Sequence, residues 1–161
     1  MNDVVKVGMA DLKTTSSPGV LTTLGLGSCV GICLYDPVTK IAGMAHIMLP
    51  SSKTIKNNSN RFKFADTGIN LLIEDMIASG AKKHRMISKI AGGAQMFSFT
   101  TKNDVMKIGE RNVIAVKNIL KDYKIPIKAE DTGGNHGRTI EFHATDGKLI
   151  IKTIGHGIKE F

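Results

Sequence analysis

Residues 22–35 read TTLGLGSCVGICLY and place a thiol, Cys29, directly behind a Gly25-Leu26-Gly27-Ser28 turn. Two roles are open to such a thiol. It is a small buried hydrophobe beside a tight turn, or a nucleophile held where glycines let a substrate and backbone amides come close. A candidate base lies downstream, His46 in AGMAHIMLP. Between the two, Asp36-Pro37-Val38-Thr39 carries type I turn chemistry, with proline at the second position. A loop over 36–39 pairs Tyr35 with Lys40, and counting back along the antiparallel ladder sets Cys29 opposite His46. Directly opposed residues share a face with Cβ atoms about 4.5–5.5 Å apart, close enough for a thiol–imidazole pair. A slip of one residue would put them on opposite faces.

The residue types suit acyl transfer. An imidazole beside a thiol draws off its proton and holds the thiolate as an ion pair. Backbone N–H groups around Gly27, Ser28 and Cys29 can receive an oxyanion. Thr23 has the alternation parity of Gly25, Gly27 and Cys29, so its hydroxyl can orient the imidazole as the third member of a triad. A cysteine and a histidine in apolar strands are also what a packed core contains, and spacing alone leaves both readings standing. Cys33, inside Ile32-Cys33-Leu34 with no turn beside it, reads as an apolar filler. His84, His136, His143 and His156 show no metal-ligand spacing, and two cysteines without a C-x-x-C make no zinc site. A dinucleotide fingerprint at Gly25-Leu26-Gly27 fails because Val30 stands at its third glycine and no phosphate-capping helix follows.

These residues need strands to hold them. GVLTTLGLG and CVGICLY read as strands on either side of the glycine turn, and IAGMAHIML as a third. A polar stretch from Pro50 to Phe64 reads as a loop. Ile69, Leu72, Ile73, Met76 and Ile77 recur at helical spacing over 66–79, with Asp66 or Thr67 as cap and Gly80 as the C′ residue. MISKIAGG returns to strand, and a second amphipathic helix over 110–123 runs through Val113, Val116, Leu120 and Tyr123 to Pro126. IKAEDTGG, RTIEFHA and KLIIKTI complete the sheet, the last two joined through Asp146-Gly147. The pattern is α+β or α/β in one unit, 1–161. Gly92-Gly93 and Gly133-Gly134, each closing a strand, hint at a duplication.

The composition narrows the partners. The 161 residues include 22 basic and 14 acidic side chains, a net charge of +8, which suggests an acidic partner. The basic residues are spread over loops, there is no tryptophan, and aromatics make up 5%, so stacking platforms for nucleic acid are missing. No apolar run approaches a membrane span, and the N-terminal MNDVVKVGMADLK lacks a signal-peptide pattern, so a cytoplasmic protein with reduced cysteines is expected.

TLGLGSCVGICLYD, AGMAHIMLP, KIAGGAQMF, IGERN and AEDTGGNHGR, in that order from about residue 4 to beyond 150, resemble the CheD family of chemoreceptor glutamine deamidases. The resemblance places the family's nucleophilic cysteine on Cys29, its histidine on His46 and its threonine on Thr23. It implies a hydrolase that converts glutamine side chains on chemoreceptor cytoplasmic helices to glutamate, without metal or organic cofactor, and that binds the phosphatase CheC. It also implies packed mixed sheets flanked by helices, similar to the cysteine deamidase toxins of the cytotoxic necrotizing factor type. The competing class is a non-catalytic adaptor that docks to receptors and CheC.

Overall fold

The strands on either side of the glycine turn belong to different sheets. In the computed structural model, which describes residues 3–96 and 107–161, β3 (Val20–Leu26) lies in one five-stranded sheet and β4 (Val30–Asp36) in another. The first sheet has the order β1-β3-β8-β9-β10, with β1 at Val4–Lys6, β8 at Arg138–His143, β9 at Leu149–Thr153 and β10 at Gly157–Glu160. The second has the order β2-β5-β4-β6-β7, with β2 at Asp11–Ser16, β5 at Ile41–Ile47, β6 at Ile87–Gly92 and β7 at Ile127–Thr132. Each sheet is mixed, because β1–β3 and β6–β7 are parallel pairs within otherwise antiparallel ladders. Phe97 of the KIAGGAQMF block lies outside the described residues.

The layers explain the sequence pattern. β4 and β5 are buried along their whole length, because one face of the second sheet packs on the first sheet and the other on two helices. Val30, Ile32, Leu34, Ala45 and Ile47 meet α1 (Ala65–Ala78) and α2 (Ile108–Asp122) through Ile69, Leu72, Met76, Val116 and Leu120. Cys29, Cys33, Tyr35, Ala42 and Met44 face the other way, onto Leu21, Ile140, Phe142 and Leu149 of the first sheet. A strand covered on both sides reads as a continuous apolar run, whereas β8 alternates buried and half-buried because its outer face meets solvent. The structure is thus α+β: two packed mixed sheets with helices on one side.

The helices fall within two residues of their expected bounds, and Gly80 takes a left-handed φ of +115° after the last turn of α1. The cap differs. Phe64 is the N-cap and has no side-chain cap bond, while Asp66 accepts from the Ser52 N–H at 3.0 Å and its hydroxyl at 2.8 Å, tying down the polar segment before the helix. That segment holds two 3-10 turns, at Ser52–Thr54 and Arg61–Lys63.

The ladder register also differs from the expectation. Asp36 pairs with Ile41 and Gly31 with His46, so Cys29 does not oppose His46. The loop is Pro37–Lys40, with Lys40 at φ +56° and its N–H bonded to the Asp36 carbonyl at 2.8 Å. Asp36 is the last strand residue rather than the first loop residue. Its buried carboxylate accepts from Arg85 at 2.9–3.1 Å, from the Lys82 N–H at 2.9 Å and from the Val38 N–H at 3.0 Å. Burial pushes this carboxyl up, but the Arg85 guanidinium and the backbone donors outweigh that and hold it well below the usual carboxylate range. The register moves by two residues, an even number, so the face assignment of Cys29 and His46 survives the slip.

Candidate functional site

Cys29 and His46 sit at the same end of the second sheet, both turned toward the space between the sheets. His46 lies near the end of β5, flanked by Asp11 on β2 and Gly31 on β4. Cys29 immediately precedes β4, diagonal to His46 across the ladder, where Cα atoms stand about 7–8 Å apart. Gly31, the residue directly opposite His46, lets the first sheet pack close here: a Cβ there would come within 2.8 Å of the Ile140 side chain and 3.2 Å of Leu26. Cys29 is 6% exposed, while Gly27 and Ser28 are half-buried and form the lip of the site.

Thr23 reaches the imidazole from the other sheet. Its Oγ1 lies 2.7 Å from His46 Nδ1 and 2.7 Å from the Val7 carbonyl oxygen. A hydroxyl has one proton, and a carbonyl can only accept, so the Thr23 proton goes to Val7. His46 Nδ1–H therefore donates to Thr23, and Nε2 carries the bare lone pair. Nε2 is buried and has no hydrogen-bond partner among the described residues. A histidine held in one tautomer with an unused basic nitrogen is an arrangement suited to accepting a proton.

The charge states are opposite to the expected resting ion pair. Burial pushes the Cys29 thiol up, only partly offset by its own backbone N–H, and burial pushes the His46 imidazole down. Both shifts favour neutral thiol beside neutral imidazole, because neither charge has water to solvate it. Such a pair can pass a proton from sulfur to nitrogen but does not favour a stored thiolate.

The Gly27–Cys29 turn is tied back through its carbonyls. Ala94 N–H donates to the Gly27 oxygen at 2.8 Å, Asn112 Nδ2 to the Ser28 oxygen at 2.9 Å and Gly93 N–H to the Cys29 oxygen at 2.8 Å. The Gly27 N–H is itself engaged by the Gly25 carbonyl at 3.0 Å, while among the described residues the Ser28 and Cys29 N–H groups have no backbone acceptor, and the Cys29 N–H lies against its own thiol. Gly92 has φ +114°, and a Cβ on it would collide with the Cys29 carbonyl. The two Gly-Gly pairs lie side by side at the ends of β6 and β7, with Gly133 N–H on the Gly92 carbonyl at 3.0 Å. At Gly92 the reason for glycine is this close backbone approach.

The other candidates lie elsewhere. Cys33 is fully buried in the core between the sheets, and burial pushes its thiol far up. His136 and His156 stack with ring centroids 3.8 Å apart, and His143 lies 3.6 Å from Glu141. Sequence reasoning missed Asn112, which is fully buried on α2 in one stripe with Val116 and Leu120. A polar residue continuing an apolar stripe at helical spacing was the signal available.

A thiol, an imidazole with a bare nitrogen and a hydroxyl bonded to that imidazole, held between the sheets of an α+β scaffold, are the class of groups that cysteine acyl transfer would use. The comparisons with known proteins narrow that class. A family model described as CheD chemotactic sensory transduction matches residues 48–153. A relative from Caldanaerobacter subterraneus subsp. tengcongensis, named probable chemoreceptor glutamine deamidase CheD, is 65% identical over 97% of this chain and 96% of its own length. Another from Halalkalibacterium halodurans, named chemoreceptor glutamine deamidase CheD, is 56% identical over 99% of each chain. The chain belongs to the CheD family. Among solved structures, that of Bacillus licheniformis hypothetical protein YfiH aligns with 76% of this chain and 50% of its own at 19% identity and a TM-score of 0.47. Among the described residues no helix is long and apolar enough to cross a membrane.

Proposed function

We propose that this chain hydrolyses glutamine side chains of chemoreceptors to glutamate, with Cys29 as nucleophile, His46 as general base and acid, and Thr23 as the group that orients His46. The observation that carries the reading is His46 Nε2, bare, buried and on the face of Cys29, with Nδ1–H committed to Thr23. Nε2 takes the thiol proton as the sulfur attacks the side-chain amide carbon. The Ser28 and Cys29 N–H groups receive the oxyanion, and Gly27 lets the substrate approach them. When the C–N bond breaks, the imidazolium gives its proton to the departing ammonia. Water then loses a proton to Nε2 and attacks the thioester. The C–S bond breaks, the sulfur recovers the proton, and glutamate leaves. The relatives named as chemoreceptor glutamine deamidases support the substrate class.

In this reading residues 1–161 work as one CheD-like deamidase domain in the cytoplasm, with a fold similar to that of the cytotoxic necrotizing factor type of deamidase. The phosphatase CheC covers the same mouth and competes with the receptor, so it raises KM and leaves kcat unchanged. The test is ammonia release from a purified receptor cytoplasmic domain. The wild-type chain should release it, and folded Cys29→Ala and His46→Ala variants should not. Undiminished release by Cys29→Ala would refute the nucleophile, and binding of receptor and CheC without any release would favour a docking adaptor.

A further inference from the structure

Resting on that reading, we propose that Asn112 is a positioning residue that holds the Ser28–Cys29 peptide with its N–H facing the reacting carbonyl. The Ser28 carbonyl and the Cys29 N–H belong to one peptide plane, and in a trans peptide they point in opposite directions. Fixing the oxygen fixes the amide. Asn112 Nδ2 does this, donating to the Ser28 oxygen at 2.9 Å and with its second proton to the Met48 oxygen at 3.0 Å. Met48 follows closely on His46, so one amide group ties the turn before the thiol to the segment after the imidazole. The neighbouring peptides are held by backbone donors, Ala94 on Gly27 and Gly93 on Cys29. The Ser28–Cys29 peptide alone of the three is held by a side chain.

The support for Asn112 is built into the fold. It lies one turn into α2, whose start presses against the strand end through glycine: a Cβ on Gly109 would stand 2.5 Å from the Ala94 carbonyl. Asn112 is 0% exposed, and its Oδ1 has no partner among the described residues. An apolar side chain would continue the Val116–Leu120 stripe without stranding an acceptor, so packing does not explain an asparagine here.

Two reactions of the same thiol separate this role from a structural one. Deamidation passes through an oxyanion, whereas alkylation of Cys29 by iodoacetamide does not. Asn112→Ala should lower kcat for ammonia release by about 10- to 100-fold, short of or equal to the loss of a full oxyanion donor, with KM little changed. The limiting rate of Cys29 alkylation at high pH, where the thiol is ionised in either chain, should stay at its wild-type value. Asn112→Ser, which keeps one donor, serves if the alanine variant does not fold, and should fall between the two. Parallel loss of both reactions would make Asn112 a structural residue, and unchanged deamidation would remove it from the mechanism; either overturns the proposal. Ammonia release retained by Cys29→Ala would instead sink the underlying reading, an outcome visible before Asn112 is touched.

Discussion

Replacing Thr23 by valine keeps the shape of the side chain and deletes its hydroxyl. In the wild-type chain that oxygen makes two 2.7 Å bonds, one from His46 Nδ1–H and one to the Val7 carbonyl. Without it, both groups stay buried and unpaired, at about 1–3 kcal/mol each. The imidazole can relieve its part by moving the ring proton to Nε2, the atom that accepts from Cys29 in the proposed mechanism. If the productive tautomer then lies about 1–3 kcal/mol above the other, kcat falls roughly 5- to 150-fold. That is less than removal of His46, since the base is still present. KM should hardly move, because Thr23 is 1% exposed and offers no surface to a receptor. Thr23→Ser restores the hydroxyl and should recover most of the rate. The assays are steady-state ammonia release and long-range proton–nitrogen NMR of the His46 ring, which reports the tautomer directly. An unchanged kcat in a folded Thr23→Val variant, or a wild-type ring protonated at Nε2, would refute the reasoning.

Four further outcomes are expected. Cys33→Ala should keep turnover and lose about 1 kcal/mol of stability from a small cavity, whereas Cys29→Ala should lose turnover and keep its melting temperature; equal loss of turnover in both would contradict the separation of the thiols. Because burial raises the Cys29 thiol, its alkylation rate should climb with pH past the ordinary thiol value, and a plateau below neutrality would instead indicate a stored thiolate. His46 has the opposite sign: its folded value lies below the unfolded one, so its contribution to stability is present above about pH 6.5 and lost as pH falls through that region, a slope in denaturation experiments that His46→Ala should flatten. Asp36→Ala should cost about 2–4 kcal/mol in urea denaturation, less than breaking a wholly buried pair because the Arg85 side chain is 26% exposed. A loss too small to measure would mean that the strand end does not depend on that carboxylate.

What could be read from the sequence follows from how each element is covered. α1 and α2 announce themselves because one face of each is apolar at helical spacing and Gly80 or Pro126 ends the pattern. β4 and β5 do so because both their faces are buried. β1, β2 and β10 carry no strand signal in the sequence: they are short or polar and sit at sheet edges, with β10 exposed throughout. Thr23, Cys29 and His46 could be picked out by residue type and parity, which are local properties. The register was not local, because it depends on a left-handed Lys40 and on an Arg85 that holds Asp36 from far along the chain. Nor does a glycine turn declare that the chain crosses from one sheet to the other within it. That crossing is what brings Thr23 against His46.

The most direct measurement is mass spectrometry of a receptor cytoplasmic domain after incubation with wild-type chain and with Cys29→Ala in parallel, in water enriched in heavy oxygen. The mechanism predicts conversion of particular glutamines to glutamate, each carrying one solvent oxygen, with the wild-type chain only. Unmodified glutamines after incubation with folded wild-type chain, or the same conversion by Cys29→Ala, would contradict it.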